Sequence, residues 1–217
     1  MVKLCKSVLP EGVDIKCKND YQTGPVFQLL LKDCYGKCYI CEHIPIPPVV
    51  EHLIAHKDRP DLKYMWNNMF LACSYCNTVK NKRAFDSGVI NPVEVDPEDF
   101  ISLELSYELK EKVVVSVIDA SDNNMLADKT VELLDMVYNN TSNRDNQKVS
   151  SATLKNKLSR QLRDFYLLVN NYKTERNSGD YHIIMDEISR KSEFAAFKRM
   201  IVRRDPELLD NFKEALL

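Results

Sequence analysis

The sequence predicts an α+β fold that is mainly helical, with strands and cysteines in its first half and helices alone beyond residue 128. Three observations carry this reading. Two C-x2-C pairs, Cys38-Tyr39-Ile40-Cys41 and Cys73-Ser74-Tyr75-Cys76, mark a small cysteine-built unit. The β-branched run Val113-Val114-Val115-Ser116-Val117-Ile118 reads as a strand. From Val131 to Ile201, apolar residues recur at helical spacing. Four regions follow: 1–33, a leading segment with a short helix; 34–92, the cysteine-rich core; 93–127, an acidic strand and loop region; and 128–217, a helical region offering surface for a partner.

Taken in order, Pro25 opens a short helix through Val26, Phe27, Leu29, Leu30 and Leu31 that ends near Gly36. The prolines of Ile44-Pro45-Ile46-Pro47-Pro48 forbid a helix and fit a loop feeding a strand at Val49–Leu53. Residues 56–63 read as a polar loop. Trp66 to Ala72 returns as a second strand or turn, and Cys73 to Arg83 as a turn and helix with Lys80, Lys82 and Arg83 towards its end. Phe100–Leu105 pairs in prospect with Lys112–Ile118 as a second set of strands. Beyond Asp128 the stripes Val131, Leu133, Leu134, Met136, Val137, then Leu154, Leu158, Leu162, Phe165, Tyr166, Val169, then Phe194, Phe197, Ile201 predict packed helices, broken at Asn139-Asn140-Thr141 and Asn177–Asp180.

Composition narrows the function classes. Among 217 residues, 44% are hydrophobic and 29% charged, which argues against wholesale disorder. The longest apolar run, residues 26–31, is far too short for a membrane span, and the first residues lack a secretory core. A soluble, cytoplasmic protein is expected. The net charge of −2 excludes strong unaided grip on nucleic acid. That charge is uneven, at +3 for residues 1–92, −9 for 93–145 and +4 for 146–217. The acidic middle is expected to face solvent or a basic partner.

Seven cysteines in a reducing compartment point to metal ligation and away from disulfides. Two residues between cysteines let both thiolates reach one ion from a tight turn. Two such pairs, Cys38 and Cys41 with Cys73 and Cys76, complete the tetrahedral sulfur set that Zn²⁺ accepts, leaving no position for water. This zinc is structural. A redox pair or free buried thiols are the bland alternative. Cys5, Cys17 and Cys34 lack the pairing and read as small buried hydrophobes, although Cys34 is near enough to compete.

Between the pairs lie Val50-Glu51-His52 and Trp66-Asn67-Asn68-Met69, and Asn77 follows the second pair directly. An acid-His pair, a middle Asn and a closing His or Asn make up the HNH nuclease pattern. Over about residues 34–84 the chain resembles the zinc-bound ββα-metal HNH family. It is most similar to the HNH subunit of Septu-type antiphage systems, including the retron-associated ones, through C-Y-x-C-E, E-H, W-N-N, C-x2-C-N-x2-K and Ile90-Asn91-Pro92-Val93-Glu94. The resemblance implies that residues 34–92 form a zinc-bound nuclease core acting in defence, with an ATPase subunit of ABC or SMC-like type as partner. The chain has no phosphate loop of its own, so it is not that ATPase.

The chemistry follows from the side chains. Phosphodiester hydrolysis needs a base for water and a cation for developing charge. His52 suits the base. In an extended strand Glu51 and His52 point to opposite sides; the resemblance implies a bend, with Glu51 and Asn77 holding Mg²⁺ or Mn²⁺ through hard oxygen donors. It also implies that Asn68, preferred over Asn67, orients His52 through a hydrogen bond. Asn77 alternatively caps the following helix. Lys80, Lys82 and Arg83 are candidates for phosphate contact. His56 reads as a solvated loop residue, His43 is open, and Trp66 reads as core and not as a stacking platform. The rival function is a zinc-ordered module that binds nucleic acid or protein without cutting.

Overall fold

The computed structural model describes residues 1–16, 21, 23–45, 47–57, 59–106, 112–119, 124–140 and 144–217. Cys17, Ile46 and Thr141 therefore lie outside the described residues. The fold is mixed α+β and 54% helical, with two small antiparallel sheets.

Helix α1 (Gly24–Asp33) takes Pro25 in its first turn, where a missing N–H costs nothing, and buries Val26 and Leu30. Strand β1 (Pro48–His52) pairs with β2 (Met69–Cys73) in the register Glu51↔Phe70 and His52↔Met69. Between them, Pro60–Lys63 forms a single helical turn (α2) where the sequence suggested loop, because Pro60 presets the first position. A 3-10 turn at Trp66–Asn68 leads into β2. Helix α3 (Ser74–Lys80) follows without a break and is shorter than predicted, so Lys82 and Arg83 lie beyond it.

The second sheet pairs β3 (Ile101–Ser106) with β4 (Lys112–Val117). Helix α4 (Met125–Asn139) starts where the Asn124 side chain accepts from the amides of Leu126 and Ala127. Helix α5 (Asp145–Glu175) has 31 residues and is therefore roughly 45 Å long. It is followed by α6 (Ser178–Glu187), α7 (Ala195–Arg204) and α8 (Pro206–Phe212). Tyr166, placed on the apolar stripe by its spacing, is 38% exposed; Leu162, Phe165 and Val169 carry the buried face.

One core runs through both halves. Cys38, Cys41, Phe70, Leu71 and Val79 pack in the same cluster as Leu133, Val137, Leu158, Phe194 and Phe197. The helical region is thus a wall of the cysteine-rich unit, each fully buried Leu or Phe contributing about 1.5–3 kcal/mol. A second cluster joins the far end of α5 to α6, α7 and α8. A third packs α1 residues Val26 and Leu30 against Met69, with Val50 and Trp66 at its margin.

The uneven charge has an internal explanation. Glu98 is buried and takes Arg199 Nε at 2.8 and 2.9 Å and Arg203 at 2.8 Å, while Asp96 takes Arg190 at 2.8 Å. Glu104 pairs with Arg204. Several of the middle region's acids therefore find their basic partner within the chain, on and beside α7. No helix among the described residues is long and apolar enough to cross a membrane.

Candidate active site and metal centre

The two cysteine pairs meet. The sulfurs of Cys38, Cys41, Cys73 and Cys76 all lie within 4.8 Å of one another, with Cys41 and Cys73 Sγ 4.0 Å apart. Four thiolates at about 2.3 Å from one tetrahedral ion stand about 3.8 Å apart, so this cluster can hold a metal such as zinc. The first knuckle closes through the Glu42 amide to the Cys38 carbonyl at 2.8 Å and the Cys38 amide to the His43 carbonyl at 2.9 Å. In the second, Cys73 is the N-cap of α3 and accepts from the Cys76 amide at 3.3 Å. The Tyr39 amide donates to the Leu71 carbonyl at 2.9 Å, tying the first knuckle to β2.

The crowded sulfurs shift one another's titration. Neighbouring cysteines hold the Cys41 thiol well above its ordinary range, and burial does the same for Cys76. The neighbouring sulfurs drive Cys73 the other way, far below it. Cys34 stays outside the cluster as a buried thiol, raised to about 11 by burial, with the Leu71 amide 3.5 Å from its sulfur. Cys5 is exposed, against the expectation of a buried hydrophobe.

Glu51, His52 and Asn77 line one cavity of about 430 Å³, together with Tyr21, His56, Lys80 and Asp86. The chain reaches this convergence by ending β1 at His52 and by carrying Asn77 and Lys80 on one face of α3, three residues apart. Asn77 lies inside α3, and because Cys73 fills the cap position, the capping alternative falls away.

His52 is half-buried, and its Nε2 lies 2.9 Å from the Lys63 carbonyl. A carbonyl only accepts, so Nε2 carries the proton and Nδ1 is the basic nitrogen of the neutral ring. Burial pushes the imidazole below its ordinary value, which favours that neutral form.

Asn68 is buried and Asn67 exposed, in line with the preference for Asn68. Its expected direct bond to His52 is absent. Asn68 Oδ1 accepts from the Ile54 amide at 2.8 Å, and Nδ2 donates to the Ile54 and Leu62 carbonyls at 2.9 and 3.0 Å. It therefore pins both ends of the loop whose next residue, Lys63, accepts from His52.

Glu51 is 7% exposed. Its Oε2 accepts from the Tyr39 hydroxyl at 2.7 Å and its Oε1 from Lys80 Nζ at 2.8 Å. Burial pushes its carboxyl up, against the opposing pull of Lys80 and Tyr39. Tyr39, itself held well above the phenol range by burial, remains a donor.

Lys80 is not the surface cation expected from the sequence. It is 4% exposed, and Nζ also donates to the His52 carbonyl at 2.8 Å. Lys82 is half-buried, with Nζ 3.9 Å from Met136 Sδ of α4. Of the three, Arg83 alone is exposed.

His56 departs from a solvated loop residue. Its ring centroid is 4.8 Å from that of His52, edge to face, and its buried Nδ1 has no hydrogen-bond partner. His43 is settled as a link between halves, with Nδ1 2.6 Å from Glu193 Oε1 and Nε2 2.7 Å from Lys157 Nζ. Trp66 is packed, its Nε1 donating to the Ser7 carbonyl and Lys6 Nζ lying 3.8 Å from its ring centre. Tyr39 was missed by the sequence reading; its position within C-Y-x-C carries no signal that its hydroxyl reaches a carboxylate twelve residues on.

No family model, curated protein or solved structure matches this chain. The assignment of chemistry therefore rests on the cavity itself.

The Glu51 carboxylate and the Asn77 amide are oxygen donors of the kind Mg²⁺ or Mn²⁺ takes. Both carboxylate oxygens of Glu51 are engaged within the protein, by Lys80 and by Tyr39.

Proposed function

We propose that the chain is an HNH-type nuclease hydrolysing nucleic-acid phosphodiester bonds, and that zinc at Cys38, Cys41, Cys73 and Cys76 holds the site together. One observation carries the reading: His52, fixed through Nε2 to the Lys63 carbonyl, keeps Nδ1 as its basic nitrogen in a cavity shared with Glu51 and Asn77. An imidazole in that tautomer takes a proton from water at Nδ1, while its orientation is maintained by the loop that Asn68 pins. The base is neutral at working pH because burial disfavours imidazolium. Glu51 and Asn77 would hold Mg²⁺ or Mn²⁺, which when bound supplies charge for the phosphoryl and leaving oxygens. Arg83, exposed beside α3, is available to the nucleic-acid backbone.

The proposal extends to a defence complex with an ATPase of ABC or SMC-like type. At a net charge of −2 the chain has weak unaided attraction for nucleic acid, so grip falls to the partner.

The test is cleavage of plasmid and of total RNA by the purified chain, alone and with its partner, in Mg²⁺. Wild type cuts one substrate and His52→Ala does not, with zinc content equal. Unchanged biological effect of His52→Ala would instead support the binding module.

A further inference from the structure

We propose that Lys80 is a positioning residue whose ammonium occupies the cation place at Glu51 and gives it up when a divalent ion binds. This rests on the nuclease reading of the same cavity. The geometry sets the competition. Lys80 Nζ sits 2.8 Å from Glu51 Oε1, and the other carboxylate oxygen is taken by the Tyr39 hydroxyl at 2.7 Å. A hard divalent ion binds a carboxylate oxygen at about 2.0–2.2 Å, so ion and ammonium at Oε1 would be like charges in contact. One must leave.

The ammonium is built to be the one that leaves. It stands on a four-carbon stem at the last residue of α3, where movement costs few helix bonds. Two of its three donors are used, on Glu51 and on the His52 carbonyl. Both of these bonds go to the end of β1. Lys80 lines the cavity, so a freed Nζ has open space ahead of it. After exchange the three donors of Lys80 become available to a phosphate in the same cavity.

The experiment uses the wild-type chain and reads the lysine itself. Amine labelling followed by peptide mass spectrometry compares Lys80, 3% exposed at its side chain, with Lys213, 65% exposed. Lys80 labels slowly without divalent ion and faster with Mg²⁺ or Mn²⁺, while Lys213 is unchanged. In parallel, Mn²⁺ binding is followed by electron paramagnetic resonance. Lys80→Gln tightens it by about tenfold or more, since the competing charge beside a partly buried carboxylate is gone, and Glu51→Gln abolishes it. Mg²⁺-dependent cleavage with Lys80 protected throughout, or unchanged Mn²⁺ affinity in Lys80→Gln, overturns the exchange and leaves the nuclease standing. No Mn²⁺ binding in any form, together with no cleavage, overturns both. Labelling of the wild type decides the matter even if Lys80→Gln does not fold.

Discussion

His52 Nε2 and the Lys63 carbonyl oxygen are 2.9 Å apart, and that single bond fixes which imidazole nitrogen can act as a base. It spans the loop between β1 and β2, so the state of the ring depends on the shape of the loop.

The pH dependence follows with a definite sign. Burial places the native His52 value below the 6.5 of an unfolded imidazole. Between those values the unfolded chain binds more protons, so this residue lowers stability as pH falls through 6.5. On the nuclease reading the same shift should keep the base neutral below 6.5, with the acid limb of kcat/KM there. Nitrogen-15 NMR of the ring, with a titration, should find the Nε2–H form and the lowered midpoint.

Asn68→Ala should reduce cleavage although it does not touch His52. It leaves the Ile54 amide and the Ile54 and Leu62 carbonyls without their partner, at about 1–3 kcal/mol for each buried group left unsatisfied. Thermal melting reads the stability loss. A partial recovery of activity on cooling would separate loop loosening from loss of the base.

Metal removal should dismantle the site. Structural zinc is worth about 10–16 kcal/mol in small domains, comparable to or above the usual 5–15 kcal/mol of net stability. Cys76→Ala should therefore lose the ion by elemental analysis and lose hydrogen-exchange protection in α3. Cys34→Ala, outside the sulfur cluster, should retain one zinc per chain.

Arg199→Met should destabilise by up to about 3–5 kcal/mol, because buried Glu98 is left with Arg203 alone and the Ile188 and Ala215 carbonyls lose their donor. Urea unfolding measures this. At a temperature where the variant is folded, Mn²⁺ binding should match wild type, since the pair lies outside the cavity of Glu51 and His52.

Much of this was legible in the residues, for reasons of local chemistry. The C-x2-C pairs announced the sulfur cluster because four thiols at that spacing have few other uses, and β1, β2 and α3 followed from proline placement, short apolar runs and the cysteine turn. The helical half followed from its period. What escaped notice depended on distant partners. Lys80 read as a surface cation because nothing local signals a carboxylate 29 residues away. The acidic middle read as facing solvent or a basic partner; that Arg199 and Arg203 of the same chain are such partners was hidden because they lie about a hundred residues on. Asn68, preferred over Asn67, is the buried one of the two, but its bonds run to backbone groups that only the folded loop presents.

The most direct test of His52 as the base is chemical rescue. His52→Gly with its zinc intact should lose cleavage by about 10²–10⁴-fold and regain part of it when free imidazole is added, in step with the neutral fraction of imidazole. Cleavage by His52→Gly at the wild-type rate, or no cleavage of DNA or RNA by the wild-type protein with its partner and Mg²⁺, would contradict the account.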